Sequence, residues 1–233
     1  MKKLILLFLI LVCTNLFFGQ TTLVVQAPLN NSTSSTSRAP NGLSGYSYLS
    51  ACFLVLQSEL YNVPSGANIS SFGFTLNTGA SSSVQGNFTV SHQNTSDITY
   101  QKGTSYTTAQ VGMTQVFANV MTVPLSTTTT SMVVTLSSPF NYTGGGLYVA
   151  YNWISSGPFA GTGASCLTET NVFPLPTGGG ALGFGSASFP NLILTNSRPS
   201  LLFGLSNPNS NDLNVLAIEA PGKLAVTLNT AHI

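Results

Sequence analysis

The sequence predicts an all-β fold, an antiparallel β-sandwich of jelly-roll-like character, on three observations. Between Pro40 and Asn207 no window of ten residues carries clean helical periodicity with a cap at each end. Short runs of β-branched, aromatic and aliphatic residues instead alternate with polar ones at a period of two, the pattern of a strand buried on one face. Clusters of Gly, Pro, Asn and Ser punctuate these runs. They leave room for about six to ten short strands, a density that suits two packed sheets and not βαβ units.

The opening MKKLILLFLILVCTNLFFGQ places Lys2 and Lys3 before an apolar run from Leu4 to Cys13, with Gly19 as a small residue ahead of a cut. Residues 1–19 are therefore expected to be a signal peptide, with Gln20 as the mature N-terminus. A membrane anchor is the alternative, although Thr14 and Asn15 keep the continuous run short for a bilayer span. A lipoprotein signal at Cys13 meets Val12 where a small residue is required. The expected location is secreted or cell surface, after export through the inner membrane, and the membrane is involved only through the signal. Residues 20–41 then comprise a short N-terminal strand, TTLVVQA, and a polar linker whose composition suggests a loosely held arm.

Residues 42–206 carry the sandwich. In ACFLVLQSEL, Cys52, Leu54 and Leu56 share one face and Phe53 and Val55 the other, so a central strand with two apolar faces is expected from Ala51 to Leu60. Phe72, Phe74 and Leu76 alternate with Gly73, Thr75 and Asn77. Val84, Gly86, Phe88 and Val90 alternate with Gln85, Asn87, Thr89 and Ser91, a face expected to be solvated. HQNTSDITYQKGTSYT reads as a long polar connection with one short strand. Val116, Ala118 and Val120 are expected opposite Phe117, Asn119 and Met121, with Pro124 ending the run. Met132, Val134 and Leu136 form the next apolar face. Beyond the turn at Gly144, Gly145 and Gly146, Leu147, Val149, Tyr151 and Trp153 form another, and antiparallel pairing of residues 131–137 with 147–153 is expected. A Gly-, Ser- and Pro-rich region follows with a short strand near Ala181 to Phe184, before the last core strand at Leu201, Phe203 and Leu205. Residues 207–233 read as a spacer and two β-type runs that either pack onto the sandwich or are the first strands of a second domain, because two strands with an open edge do not fold alone.

Charge narrows the function. Lys plus Arg number six and Asp plus Glu five, only 5% of the chain, against roughly 25% in an average domain. Beyond residue 19, Arg38, Lys102, Arg198 and Lys223 face Glu59, Asp97, Glu169, Asp212 and Glu219. No basic cluster exists to meet phosphates, so nucleic acid is not an expected partner. No catalytic motif, zinc spacing or nucleotide loop is legible, and no cofactor or metal is expected. Carboxylates distant in the chain can converge in space into a glycosidase pair, such as Glu59 with Glu169, and Asp97 or Asp212 with backbone carbonyls could hold one calcium ion. His92 reads as a structural or exposed histidine on a sheet surface. Cys52 and Cys166 form either one disulfide or an inert buried pair.

The aromatics around the glycine turn offer a binding surface. Rings stack on sugar C–H groups and amides meet hydroxyls, which makes Tyr142, Tyr148, Asn141, Asn152 and Phe159 the candidate ligand-binding residues. Parity puts Tyr151 and Trp153 in the core and leaves Tyr148 and Tyr142 outside.

GANISSFGFTLNTG, NTSDITYQKG, TQVFANV, MVVTLSSPFNYTGGGLYVAYNW and RPSLLFGL resemble the β-sandwich modules near the N-terminus of large secreted or surface proteins of Bacteroidetes. The resemblance covers roughly residues 43–206 and implies type IX secretion and following immunoglobulin-like repeats, with NDLNVLAIEAPGKLAV as the start of one. It brings no catalytic residue. The expected function is a noncatalytic structural or adhesion module, with a carbohydrate-binding module using exposed tyrosines as the alternative and a glycoside hydrolase fragment as a remote one. Expected partners are a glycan or a host or cell-surface protein, and further domains of the same polypeptide.

Overall fold

The computed structural model describes residues 23–27, 33–41, 43–157, 162–169, 179–187 and 191–206. The expected signal peptide at 1–19, Phe159, and the segment 207–233 with Asp212 and His232 lie outside them. Among the described residues the strands are β1 (Leu23–Ala27), β2 (Thr33–Ser35), β3 (Tyr48–Val55), β4 (Asn68–Thr78), β5 (Val84–Thr95), β6 (Thr114–Val123), β7 (Thr130–Asn141), β8 (Gly146–Ser155), β9 (Ser165–Glu169), β10 (Gly180–Gly185), β11 (Ile193–Thr195), β12 (Arg198–Pro199) and β13 (Leu201–Ser206). One short helix, α1 (Tyr106–Ala109), interrupts them.

The strands form two antiparallel sheets packed face to face, neither closed into a barrel. Sheet one is built on β4. On one side β4 pairs with β7; on the other it pairs first with β13 and then, from Leu76, with β9. β1 flanks β13, and β2 and β12 flank β9. Sheet two runs β11-β10-β3-β8-β5-β6.

Alternation decides most of the core. Met132, Val134 and Leu136 are buried while Ser131, Val133 and Thr135 are exposed, and Val84, Gly86, Phe88 and Val90 are buried against exposed Gln85 and Asn87. Between the sheets the ring of Phe72 lies 5.2–6.5 Å from those of Phe74, Phe88, Tyr151 and Phe203, a cluster of edge-on and offset contacts. Trp153 is fully buried beside Gly86, where an added Cβ would lie 2.4 Å from the Ile154 carbonyl and 2.7 Å from the indole. Only glycine lets β5 approach β8 this closely.

Several expectations are corrected. Residues 131–137 do not pair with 147–153: β7 pairs with β4 in sheet one, and β8 lies between β3 and β5 in sheet two. The chain crosses from one sheet to the other at the glycine turn. Period-two patterning cannot separate a hairpin from such an arch, since both present an apolar face to the same core. The strand expected from Ala51 to Leu60 starts at Tyr48 and stops at Val55, and Gln57–Glu59 form a 3₁₀ turn. In β6 a register shift opposite Val90 and Ser91 leaves Val116 buried but turns Val120 outward and Met121 inward.

The polar connection after β5 is a cap. Its Tyr100, Tyr106 and Ala109 bury Cys52, Leu54, Tyr148 and Ala150 on the outer face of sheet two, making a second apolar cluster. β3 and β8 are thereby buried on both faces, which accounts for the continuous apolar run of β3. The cap is tied down by the Leu192 N–H donating to the Thr104 carbonyl at 2.6 Å and by a bridge between Ser105 and Asn191.

The arm is not loose where it is described. Ser37, Ala39, Pro40 and Asn41 are buried. The Trp153 indole N–H donates to the Asn41 carbonyl at 2.5 Å and the Tyr151 hydroxyl to the Arg38 carbonyl at 2.6 Å. The Asn41 amide donates to the carbonyls of Ala164 at 2.7 Å and Thr36 at 3.1 Å, and its oxygen accepts from the Leu43 N–H at 3.0 Å. Asn41→Ala strands these partners and is expected to lower the unfolding free energy by about 1–3 kcal/mol. A denaturant midpoint that falls with an unchanged slope checks it, and an undocked arm predicts no change.

Candidate functional site

The glycine turn places its residues as a clasp. Gly144 and Gly145 have φ of +90° and +82°, and a Cβ on Gly145 would lie 2.6 Å from the Thr95 carbonyl, so the left-handed bend requires glycine. Tyr142 is buried, with its hydroxyl on the Gly145 carbonyl at 2.5 Å and its backbone N–H on the Ala67 carbonyl at 2.8 Å. Exposed Asn141 donates its amide to the Gly66 carbonyl at 3.3 Å and accepts at its own carbonyl from Asn94 at 2.9 Å.

Tyr148 is the second correction. Its outward position on β8 is covered by the cap, and it is buried. Its hydroxyl donates to Asp97 Oδ2 at 2.7 Å and accepts from the Gln101 N–H at 2.9 Å. The Lys102 ammonium lies 5.3 Å from its ring centroid and Tyr100 meets it edge-on at 6.0 Å. Neither Tyr142 nor Tyr148 offers a ring face to a sugar, because each closes an element onto its sheet. Asp97, named for calcium, is engaged by the Tyr148 phenol. Among the described residues no three His, Cys, Asp or Glu side chains are grouped to hold a metal ion.

Cys52 and Cys166 are both free and buried, in different apolar clusters on different sheets. Burial pushes each thiol up to about 12, so neither is a ready nucleophile. Of the two readings the sequence left open, disulfide or inert buried pair, the structure has the inert pair.

Glu59 and Arg198 form an ion pair, the guanidinium buried and the carboxylate partly exposed. The guanidinium takes both carboxylate oxygens, one at 2.9 Å, and also donates to the Leu54 carbonyl. The same carboxylate accepts from the Leu56 N–H at 2.8 Å, closing the 3₁₀ turn. Glu169 stands opposite Arg198 across the β9–β12 ladder. The two glutamates named as a hydrolytic pair thus both border Arg198, and Glu59 is committed to holding the chain end of β3 against β12.

His92 occupies the inter-sheet core and not a sheet surface. It is fully buried, its rings of contact are Phe72, Phe140 and Phe203 at 5.3–6.1 Å, and both ring nitrogens lack a partner among the described residues. Burial drives its pKa down to about 3. An apolar cage without an acceptor stabilises the neutral ring and rejects the cation.

Beyond the cap the outer face of sheet two becomes more accessible, and its register aligns Gly183, Ser50, Asn152, Thr89 and Ala118 straight across β10, β3, β8, β5 and β6, with Gly183 and Ser50 still buried. The next row is Gly185, Tyr48, Ile154, Asn87 and Val120. Tyr48, Asn152 and Thr89 are half-buried, and Asn87 and Ala118 are exposed. Tyr106, whose hydroxyl accepts from the Gln110 amide at 3.3 Å, stands beside Thr89 and marks the edge of the cap. Among the described residues the side chains of Asn152, Asn87 and Ser50 make no hydrogen bond. The structure separates Asn152 from the other candidates and joins it to Tyr48, which sequence reasoning missed. Extending the period of β3 back from Ala51 would have placed Tyr48 on this face.

No family model matches the chain, and neither a curated protein nor a solved structure matches it.

A group whose folded pKa lies below its unfolded value of about 6.5 stabilises the fold fully above that pH and less as the pH falls, because only the unfolded chain takes up the proton. For His92 the loss runs from about pH 6.5 towards pH 3, at a slope approaching about 1.4 kcal/mol per pH unit. His92→Phe is expected to flatten that part of the wild-type profile, as measured by thermal unfolding across the same window.

Proposed function

We propose that this chain is a noncatalytic structural or adhesion module of a secreted or cell-surface protein, built as a jelly-roll-like sandwich. The observation that carries the reading is where the reactive side chains stand. Glu59 is clamped by Arg198, Asp97 by Tyr148, His92 is sealed among phenylalanines, and both thiols are buried. Each is engaged or enclosed within the fold, while among the described residues the side chains on the outer face of sheet two beyond the cap include uncharged Asn, Thr and Tyr. Adhesion by such a surface needs no proton carrier. The apolar run behind Lys2 and Lys3 supports export, and the PFNYTGGGLYVAYNW segment supports kinship with the sandwich modules of secreted Bacteroidetes proteins. Further domains of the same polypeptide belong to this proposal.

Purified full-length chain is expected to leave chromogenic glycosides and esters at the buffer rate. Beads coated with it are expected to resist a flow that strips uncoated beads from cellulose film or a cell layer. Turnover that disappears in Glu169→Gln overturns the reading. In expressing cells the protein is expected outside the cytoplasm with Gln20 as its first residue by mass spectrometry; an intact Met1 in the cytoplasm removes the export part.

A further inference from the structure

We propose that the open part of the outer face of sheet two binds a neutral glycan, with Tyr48 as the stacking ring and Asn152 and Asn87 as the hydrogen-bonding amides. The inference rests on the adhesion reading and names its ligand class. Charge is the first argument. The ten positions of the two rows include no Lys, Arg, Asp or Glu, so the surface offers nothing to an anionic polymer or a charged peptide and no repulsion to a neutral chain.

Hydrogen-bonding capacity is the second. An amide side chain has two donors and two acceptor sites, and those of Asn152 and Asn87 have no partner among the described residues. They lie on adjacent strands, β8 and β5, within one row of each other. Hydroxyls that both donate and accept suit such amides.

The shape of the face is the third argument. Gly183 and Gly185 carry no side chain and Ser50, Thr89 and Ala118 are small, so the floor is low where it borders the cap. The apolar groups are spaced, not contiguous: Ile154 is 38% exposed and Val120 54%, with Asn87 between them in the register. A protein interface gathers its apolar anchors into one desolvated centre, whereas sugar rings present alternate C–H patches and hydroxyls along their length. Strands repeat at about 4.8 Å, so Tyr48 on β3 and Asn87 on β5 stand about 10 Å apart across β8, a span for a chain of sugars laid across the strands.

Native electrophoresis of the full chain through gels containing soluble starch, mixed-linkage β-glucan, xylan or mannan tests the proposal, with polygalacturonate as the anionic comparison. At least one neutral polysaccharide is expected to retard the protein, and polygalacturonate is not. Tyr48→Ala is expected to weaken retardation about tenfold or more and Tyr48→Phe to retain it within about twofold, since the ring does the stacking. Asn152→Ala is expected to weaken it about three- to tenfold. Tyr61→Ala, a 65% exposed tyrosine away from this face, leaves it unchanged. Thermal unfolding of each variant separates lost binding from lost folding; if Tyr48→Ala melts early, half-exposed Asn152 decides. Retardation by no neutral polysaccharide, by polygalacturonate alone, or undiminished in Asn152→Ala and a folded Tyr48→Ala, overturns the proposal. Coated beads that still hold to surfaces in that event leave the adhesion reading standing and remove only the glycan.

Discussion

An indole N–H and a phenol inside a dry core must find acceptors there, and this requirement organises the molecule. Trp153 and Tyr151 share one face of β8, both fully buried, and β8 is paired on both sides, so the backbone around them is engaged in the ladders. The acceptors come from the backbone of Arg38 and Asn41 in the arm. Once the arm lies there, Asn41 is itself buried and must be satisfied by Ala164, Thr36 and Leu43. Arg38 in turn reaches Ser35, Ser37, Thr195 and the Ser197 carbonyl. A segment with the composition of a linker becomes the seam between β2, β9 and the β11–β12 corner.

The same economy of charge shapes the rest of the interior. With few ionisable groups, the fold uses them singly and locally: Arg198 joins the end of β3 to β12 through Glu59, and Asp97 joins the cap to β8 through Tyr148. Removing Glu59 would leave the buried Arg198 charge uncompensated, which destabilises a fold even where the pair itself adds little net stability. These contacts therefore define geometry more than they add free energy. His92 is the exception, a polar ring held by shape alone among three phenylalanines.

The cap divides one sheet face into two environments. Toward Leu54 and Tyr148 the face is interior; toward Tyr48 and Asn152 it is surface. The boundary falls at Thr89, where Tyr106 ends the covered part. Two residues of equal parity on β8, Tyr148 and Asn152, thus have opposite fates, and a surface with free amides survives beside a second apolar cluster.

Sequence alone determined the class of fold, because a period of two in Met132, Val134 and Leu136 or in Leu147, Val149, Tyr151 and Trp153 is a local property of strands with one buried face. It also determined the double burial of β3, legible in the unbroken apolar run from Ala51 to Val55, and the turn at Gly144 and Gly145. Tertiary structure decided which strands are neighbours, since β7 and β8 have the same pattern whether they pair or face one another across a core. It decided which outward residues stay outside, because the cap that buries Tyr148 is a polar, aperiodic segment whose few apolar anchors carry no local signature. The docking of the arm was decided there too. Its partners are hydrogen-bonding groups more than a hundred residues away, and such bonds leave no period in the chain that accepts them.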